Sequence, residues 1–278
     1  MHYVDLTQPF VNTMPVFPGD PAASLTPTLQ VSRDGCADHT LHTGMHVGTH
    51  MDAPAHMLEG AEGIEHFPLE RMHTRGVVVD ARGARSLDRN LFEAYTIEPK
   101  MTVIVSTGWS ARFETGTAYD FSQMPLLTQD AAAYLVSKKI NALVLDTPTP
   151  DVSPFPQHKI LLGAHIYIVE NACNTEALTG AGAFECIIAP LRLHADAAPI
   201  RLCARVYGVH ADIPRGKYRH YKGHEYRVVD MVTHSESLER MVLYTSAKGD
   251  SWVRPLSMFS EMVTVDGHDV PRFAYIGE

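Results

Sequence analysis

Between His42 and His56 the chain reads HTGMHVGTHMDAPAH, four histidines and an aspartate within fifteen residues. Six of the 16 histidines fall between His39 and His66. Imidazoles crowded around a carboxylate suit metal or proton chemistry better than packing, since imidazole titrates near neutrality and is the commonest metal-ligating side chain. Gly44, Gly48 and Pro54 make the segment too broken for a core helix. His46, His50, Asp52 and His56 all occupy even positions, so on an extended chain their side chains share a face. Alternate residues on a strand stand ~6.5–7 Å apart, which lets His50 and Asp52 converge on one ion, whereas His46 and His50 would stand ~13 Å apart. Gly48, free to take positive φ, is the natural bend that brings His46 in. Pro54 then fixes the exit of the chain and sends His56 to the edge of the site.

Two imidazoles and a carboxylate make a borderline nitrogen and oxygen set suited to Zn²⁺, with Mn²⁺ and Fe²⁺ as competitors. No cysteine lies in the cluster. Structural zinc sites are closed and thiolate-rich, while catalytic ones use histidine and carboxylate and keep a position for solvent. The expectation is therefore a catalytic cation. Serine and cysteine catalysis lack support: there is no G-x-S-x-G, and the four cysteines are scattered without a CxxC pair. They read as reduced, mostly buried thiols.

The elements that must hold this cluster alternate. RGVVVDA (75–81) and MTVIVSTGW (101–109) read as buried strands. Between them SLDRNLFEAY has helical spacing with Ser86 as N-cap. TQDAAAYLVSKKI predicts a helix capped by Thr128, with Lys138 and Lys139 at its C-terminal end, where the dipole favours cations. It feeds the strand NALVLDT. QHKILLG then predicts a helix stopped at Gly163, followed by the strand IYIVE, and FECIIAPLRL and IRLCARVYG complete the pattern. Strands interleaved with helices indicate an α/β domain over residues 1–208. Residues 212–278 change texture, with short strand-like runs joined by Gly, Ser and Asp turns, and predict a small all-β module.

A net charge of −9 argues against nucleic acid or an anionic membrane as partner. No apolar run approaches the length of a membrane span, and MHYVDLTQPF lacks a signal peptide's basic and apolar regions, so the expected setting is the cytoplasm.

HVGTHMDAPAH (46–56) resembles the H-x-G-T-H-x-D-x-P-x-H signature of the cyclase-like metal-dependent hydrolases, which include bacterial kynurenine formamidases and isatin hydrolases. DLTQPFVNTMPVFPGDP, VIVSTGW, LVLDTPTPD, HKILLGAHIYIVEN and APLRL are similar to further segments of that family, so the resemblance spans residues 3 to about 208. It implies a swivelling β/β/α fold and assembly as a homodimer or homotetramer. It also implies a metal site of His46, His50, Asp52, His158 and Glu170, holding one or two Zn²⁺ (Mn²⁺ as the alternative) with Asp52 and Glu170 able to bridge. His158 opens a predicted helix and Glu170 closes a predicted strand; on residue type alone each reads as structural. His165 is the rival to His158. The tail over residues 214–275 resembles a small bacterial domain of uncharacterised function, expected to be an SH3-like barrel. Its aromatics, Trp252 included, read as core.

The implied activity is hydrolysis of a C–N bond in a small amide or formamide, with His56 as general acid and base, its unperturbed pKa of about 6.5 being suited to that task. A rival role for His56 is orienting a ligand. The alternatives are a cyclic-amide (isatin-like lactam) hydrolase and a non-catalytic metal or metabolite sensor read out by the tail. Trp109, Phe17 and Phe155 are candidates for an aromatic pocket, each reading at least as well as a core residue.

Overall fold

The computed structural model describes residues 2–12, 14–114, 116–118, 120–207, 213–235, 240–265 and 268–277. The chain divides into two compact units, residues 3–206 and residues 207–278. The expected domain limits at 208 and 212 lie outside the described residues.

The first unit is built on one sheet. Its strands are β1 (His2–Asp5), β2 (His50–Asp52), β3 (His73–Asp80), β4 (Thr102–Ser106), β5 (Ala142–Leu145), β6 (Tyr167–Glu170), β7 (Phe184–Pro190) and β8 (Ala197–Val206). Their order is β1-β8-β7-β3-β4-β5-β6-β2. Because β2 also pairs with β8, the strands from β2 to β8 form a closed ring. The contiguous strands β3 to β6 are parallel; β7 and β2 flank them antiparallel, and β8 pairs antiparallel with both β7 and β2. Strands covered on both faces need apolar residues at every position. Val103, Ile104 and Val105 of β4 and Leu143, Val144 and Leu145 of β5 are accordingly buried without exception.

Alternation along these strands sorts side chains into two cores. Met51, Ile104, Val144, Val169 and Ile200 point to one. Val103, Val105, Leu143, Leu145 and Ile168 point to the other, where helices α2 (Gln129–Ser137) and α3 (Pro156–Gly163) add Leu135, Leu161 and Leu162. His50 and Asp52 flank Met51, so their side chains take the opposite face from that core residue.

Thr128 caps α2 as expected, its hydroxyl accepting from the Ala131 N–H. The helix expected from Ser86 is shorter. Ser86 and Leu87 form a parallel bridge with Leu126 and Leu127, and the helix α1 (Arg89–Glu93) begins only after Asp88, whose carboxylate accepts from Leu91 N–H. Burying Leu87 in the second core outweighed its helical spacing. Among the described residues no helix is long and apolar enough to cross a membrane.

The second unit is all-β, matching the expected texture. The strands Ser251–Pro255, Arg240–Ser246, Glu225–Thr233, Gly216–His220 and Phe273–Gly277 form one sheet in that order, and Met262–Val265 pairs with His268–Pro271. Its core gathers Tyr218, Val228, Val242, Tyr244 and Leu256 around the stacked rings of Phe259 and Phe273, centroids 4.0 Å apart. Trp252 corrects the sequence reading: it is 54% exposed, and the Phe259–Phe273 pair fills the centre it was expected to occupy.

Just past β5, the buried carboxylate of Asp146 grips the turn after β4. It accepts from Thr107 Oγ1 (2.6 Å), Thr107 N–H (2.9 Å) and Gly108 N–H (2.8 Å). Asp146→Ala strands three donors at the carboxyl edge of the parallel strands. It should cost about 3 kcal/mol in urea unfolding; a loss under about 0.5 kcal/mol, typical of neutral surface changes, would show the clamp to be dispensable.

Candidate metal centre

The site forms where the parallel strands end. β2 and β6 are antiparallel neighbours with His50 opposite Glu170 and Asp52 opposite Ile168, which puts both acids and His50 on one face. Gly48 has φ 67°, the bend the spacing required, and a Cβ there would lie 2.7 Å from Met14 Cε. That bend is tied down by Asn171, whose Nδ2 donates to Gly48 O and whose carbonyl accepts from Thr49 Oγ1.

Three imidazoles then face the acids in the same way. His50 places Nδ1 2.8 Å from Gly48 O and Nε2 3.4 Å from Asp52 Oδ1 and 3.3 Å from Glu170 Oε2. His46 places Nε2 2.9 Å from Asp196 Oδ2 and Nδ1 3.0 Å from Asp52 Oδ1. His158 places Nδ1 2.5 Å from Asp151 Oδ1 and Nε2 3.3 Å from Glu170 Oε1 and 3.8 Å from Asp52 Oδ2. In each ring one nitrogen is held by an outer oxygen and the other is aimed at Asp52 or Glu170. Outer oxygens of this kind fix the tautomer and orientation of metal-ligating histidines.

His50, Asp52, His158 and Glu170 are all buried. Yet His50 Nε2, both oxygens of Asp52 and Glu170 Oε1 have no hydrogen-bond partner. The nitrogens and oxygens approach one another without hydrogen-bond alignment, as donors directed at a shared centre do. Buried polar atoms left unpaired are costly, so a cluster of four calls for a missing partner. Two sets, His46–Asp52–His56 and His50–Asp52–Glu170, each bring their ligand atoms within 4.8 Å of one another and share Asp52. Nitrogen and oxygen donors without sulfur fit Zn²⁺ or Mn²⁺.

Charge follows geometry. Burial opposes protonation of all three histidines, but the facing carboxylates override it. Asp196 and Asp52 push His46 up to about 9. Asp52 and Glu170 push His50 up to about 10, and Asp151 and Glu170 do the same for His158. For Asp52 burial works the other way, yet His46 and His50 hold its carboxyl well below the usual carboxylate range.

The structure thus brings together His46, His50, Asp52, His158 and Glu170, with His56 beside them: its ring lies 4.1 Å from that of His46 and its Nδ1 3.1 Å from Asp196 Oδ2. His165 is not among them; it lines a separate cavity with Arg71 and Asn141. A cavity of about 250 Å³ opens onto His46, His56, His158 and Glu170, with Phe17 and Phe155 in its wall. Of the three candidates Trp109 takes the core alternative: it is buried, its indole N–H donating to Ala118 O.

Two residues with a role here escaped the sequence reading. Asp151 orients His158 and also accepts the Gln157 and His158 N–H groups at the start of α3, where the cap residue Phe155 offers none. Its place in TPTPD, just before a proline-initiated helix, was a readable signal. Asp196 offered none: it reaches the site because β8 pairs Ala197 with Asp52.

The cyclase family model matches residues 4–152. The chain belongs to the cyclase family. A kynurenine formamidase of Bordetella petrii is 30% identical over 216 residues, covering 73% of this chain and 98% of the relative. One from Bacillus mycoides is 26% identical over 209 residues, covering 73% and 97%. A solved structure described as a potential metal-dependent hydrolase with cyclase activity superposes with a TM-score of 0.63 at 26% identity, covering 73% of this chain and 96% of its own. Isatin hydrolase A from Labrenzia aggregata shares the fold, with a TM-score of 0.67 at 22% identity over 74% of this chain and 93% of its own. Residues 216–275 match the model of a protein family of unknown function, DUF1653.

The raised histidines set a pH signature. With no cation bound, their stabilising contribution is complete below the unfolded value of about 6.5 and is lost as pH rises through 9 to 10. The metal-free chain should therefore lose stability in denaturant titrations between neutral and alkaline pH. Zinc added near neutrality should expel protons, more than one per cation, in calorimetry across buffers of different ionisation enthalpy. Proton-neutral uptake would contradict this arrangement.

Proposed function

We propose that the chain is a metal-dependent hydrolase of the arylformamidase type, cleaving the C–N bond of a small amide or formamide. The observation that carries this reading is the set of orphaned, inward-facing donors at the floor of a small cavity walled by aromatic rings. His46, His50, Asp52, His158 and Glu170 would hold the cation, Zn²⁺ first and Mn²⁺ as the alternative, with Asp52 placed to bridge two ions. When bound, such a cation supplies Lewis acidity, polarising a carbonyl and lowering the pKa of water.

The chain's own groups do the rest. Asp196 shares one carboxylate oxygen between His46 Nε2 and His56 Nδ1, so a single acid orients a proposed ligand and a proposed proton carrier. With Nδ1 on Asp196, His56 keeps Nε2 for the substrate. That nitrogen takes a proton from the attacking water and delivers it to the leaving nitrogen, so the amine departs neutral. Phe17, Phe155 and Met57 hold the acyl or aryl portion and keep bulk water out of the cavity. The formamidase relatives named above support a formamide as substrate; the isatin hydrolase fold keeps cyclic amides as the nearest rival. Assembly as a homodimer or homotetramer belongs to the same proposal.

His56 also stands within ligand range of His46 and Asp52, which favours a second reading in which it binds a second ion. One variant separates the two. His56→Ala should lower kcat on N-formylkynurenine by about 10²–10⁴-fold while zinc per chain, measured by elemental analysis, stays at the parent value. Loss of zinc in that variant would make His56 a ligand. A panel of aryl formamides and lactams then tests the substrate class: turnover of none by the zinc-loaded chain would end the proposal.

A further inference from the structure

The second unit carries a cavity of about 490 Å³ walled by Tyr226, Tyr244, Trp252 and Arg254, with Lys248 and the carboxylates of Glu225 and Asp250 also in its lining. Its floor is part of the core face of the sheet. Trp252 lies opposite Tyr244, and Arg254 opposite Val242, so both share a face with two buried residues. Aromatic rings run outward along that face. The Phe259–Phe273 stack meets Tyr244 at 5.5 and 5.8 Å, and Tyr244 meets Tyr226 at 5.5 Å. Trp252 ends the series with no ring contact among the described residues and more than half its surface open.

Arg254, two residues along, has no carboxylate within ion-pairing distance among the described residues. Its one side-chain hydrogen bond there is a long 3.4 Å approach to Tyr244 Oη, and its guanidinium carbon stands 5.9 Å from the centroid of the Phe273 ring. Of the two acids in the lining, Glu225 pairs with Arg219 at 2.9 Å, and Asp250 accepts from Ser246 Oγ at 3.3 Å; neither reaches Arg254. An indole with no ring stacked on it among the described residues, beside a half-buried guanidinium with no carboxylate paired to it there, asks for one ligand that answers both. Aromatic faces prefer aromatic partners, and a guanidinium fork matches a carboxylate. Lys248 in the same lining adds a second cation for an anion to meet.

The geometry points to a binding site for a small planar aromatic acid, its ring stacked on Trp252 and its carboxylate on Arg254. This site lies wholly within residues 224–254 and does not depend on the catalytic reading of the metal centre.

Calorimetric titration of the full chain with anthranilate tests it. Saturable binding is expected, at least tenfold weaker for cyclohexanecarboxylate, which keeps the charge without the ring, and for aniline, which keeps the ring without the charge. Trp252→Leu and Arg254→Met should each weaken anthranilate tenfold or more with unchanged thermal unfolding. Should Arg254→Met melt early, Arg254→Lys, which keeps the charge but not the fork, should still show weakened binding. Binding should survive in Asp52→Asn, so failure of the metal centre and failure of this site are separable. Absence of saturable binding, equal binding of cyclohexanecarboxylate, or undiminished binding in the Trp252 and Arg254 variants would overturn the assignment.

Discussion

A fully buried carboxylate with no hydrogen bond of its own is the constraint on which the first unit depends. Asp52 sits at 0% exposure between His46, His50 and His158, and neither of its oxygens is paired. Leaving a charge in that position is affordable only if several opposite charges converge on it. The surrounding fold reads as the means of convergence: β2 brings His50 and Asp52, β6 brings Glu170 opposite His50, α3 brings His158, and the Gly48 bend brings His46. Closure of the ring through the β2–β8 pairing adds Asp196 from far along the chain.

A layered division of labour follows. The inner atoms face one another, with His50 Nε2, both Asp52 oxygens and Glu170 Oε1 unpaired, while the outer atoms of the three rings are locked by Gly48, Asp151 and Asp196. Such locking lowers the entropy lost when a cation or substrate arrives, because the rings need not search for an orientation. Asp196 differs from the other two in being partly exposed and shared between two rings, so the edge of the site nearest solvent is also where two proposed functions meet.

Much of this was legible in the chain. The even spacing of His46, His50, Asp52 and His56, with Gly48 to bend and Pro54 to turn, encodes local geometry, and local geometry is what sequence periodicity carries. Thr128 as a cap and the buried strands are legible for the same reason. Asp196 was not, because its link to Asp52 is a strand register between segments far apart, and no local pattern records which strands pair. The Asp88 cap was misplaced to Ser86 because a two-residue bridge to Leu126–Leu127 claimed the first residues of an amphipathic run. Trp252, read as core, is open to solvent, while Trp109, read equally as core or pocket, is buried, since residue type alone does not say which aromatic a core will take.

Anomalous diffraction at the zinc edge from crystals of the full chain tests the central claim most directly. The account predicts a cation within coordinating distance of Asp52, with His50 Nε2 and Glu170 among its ligands and one side open to the cavity beside His56. Zinc bound elsewhere on the chain, or Asp52 found paired by protein hydrogen-bond donors with no cation beside it, would contradict it.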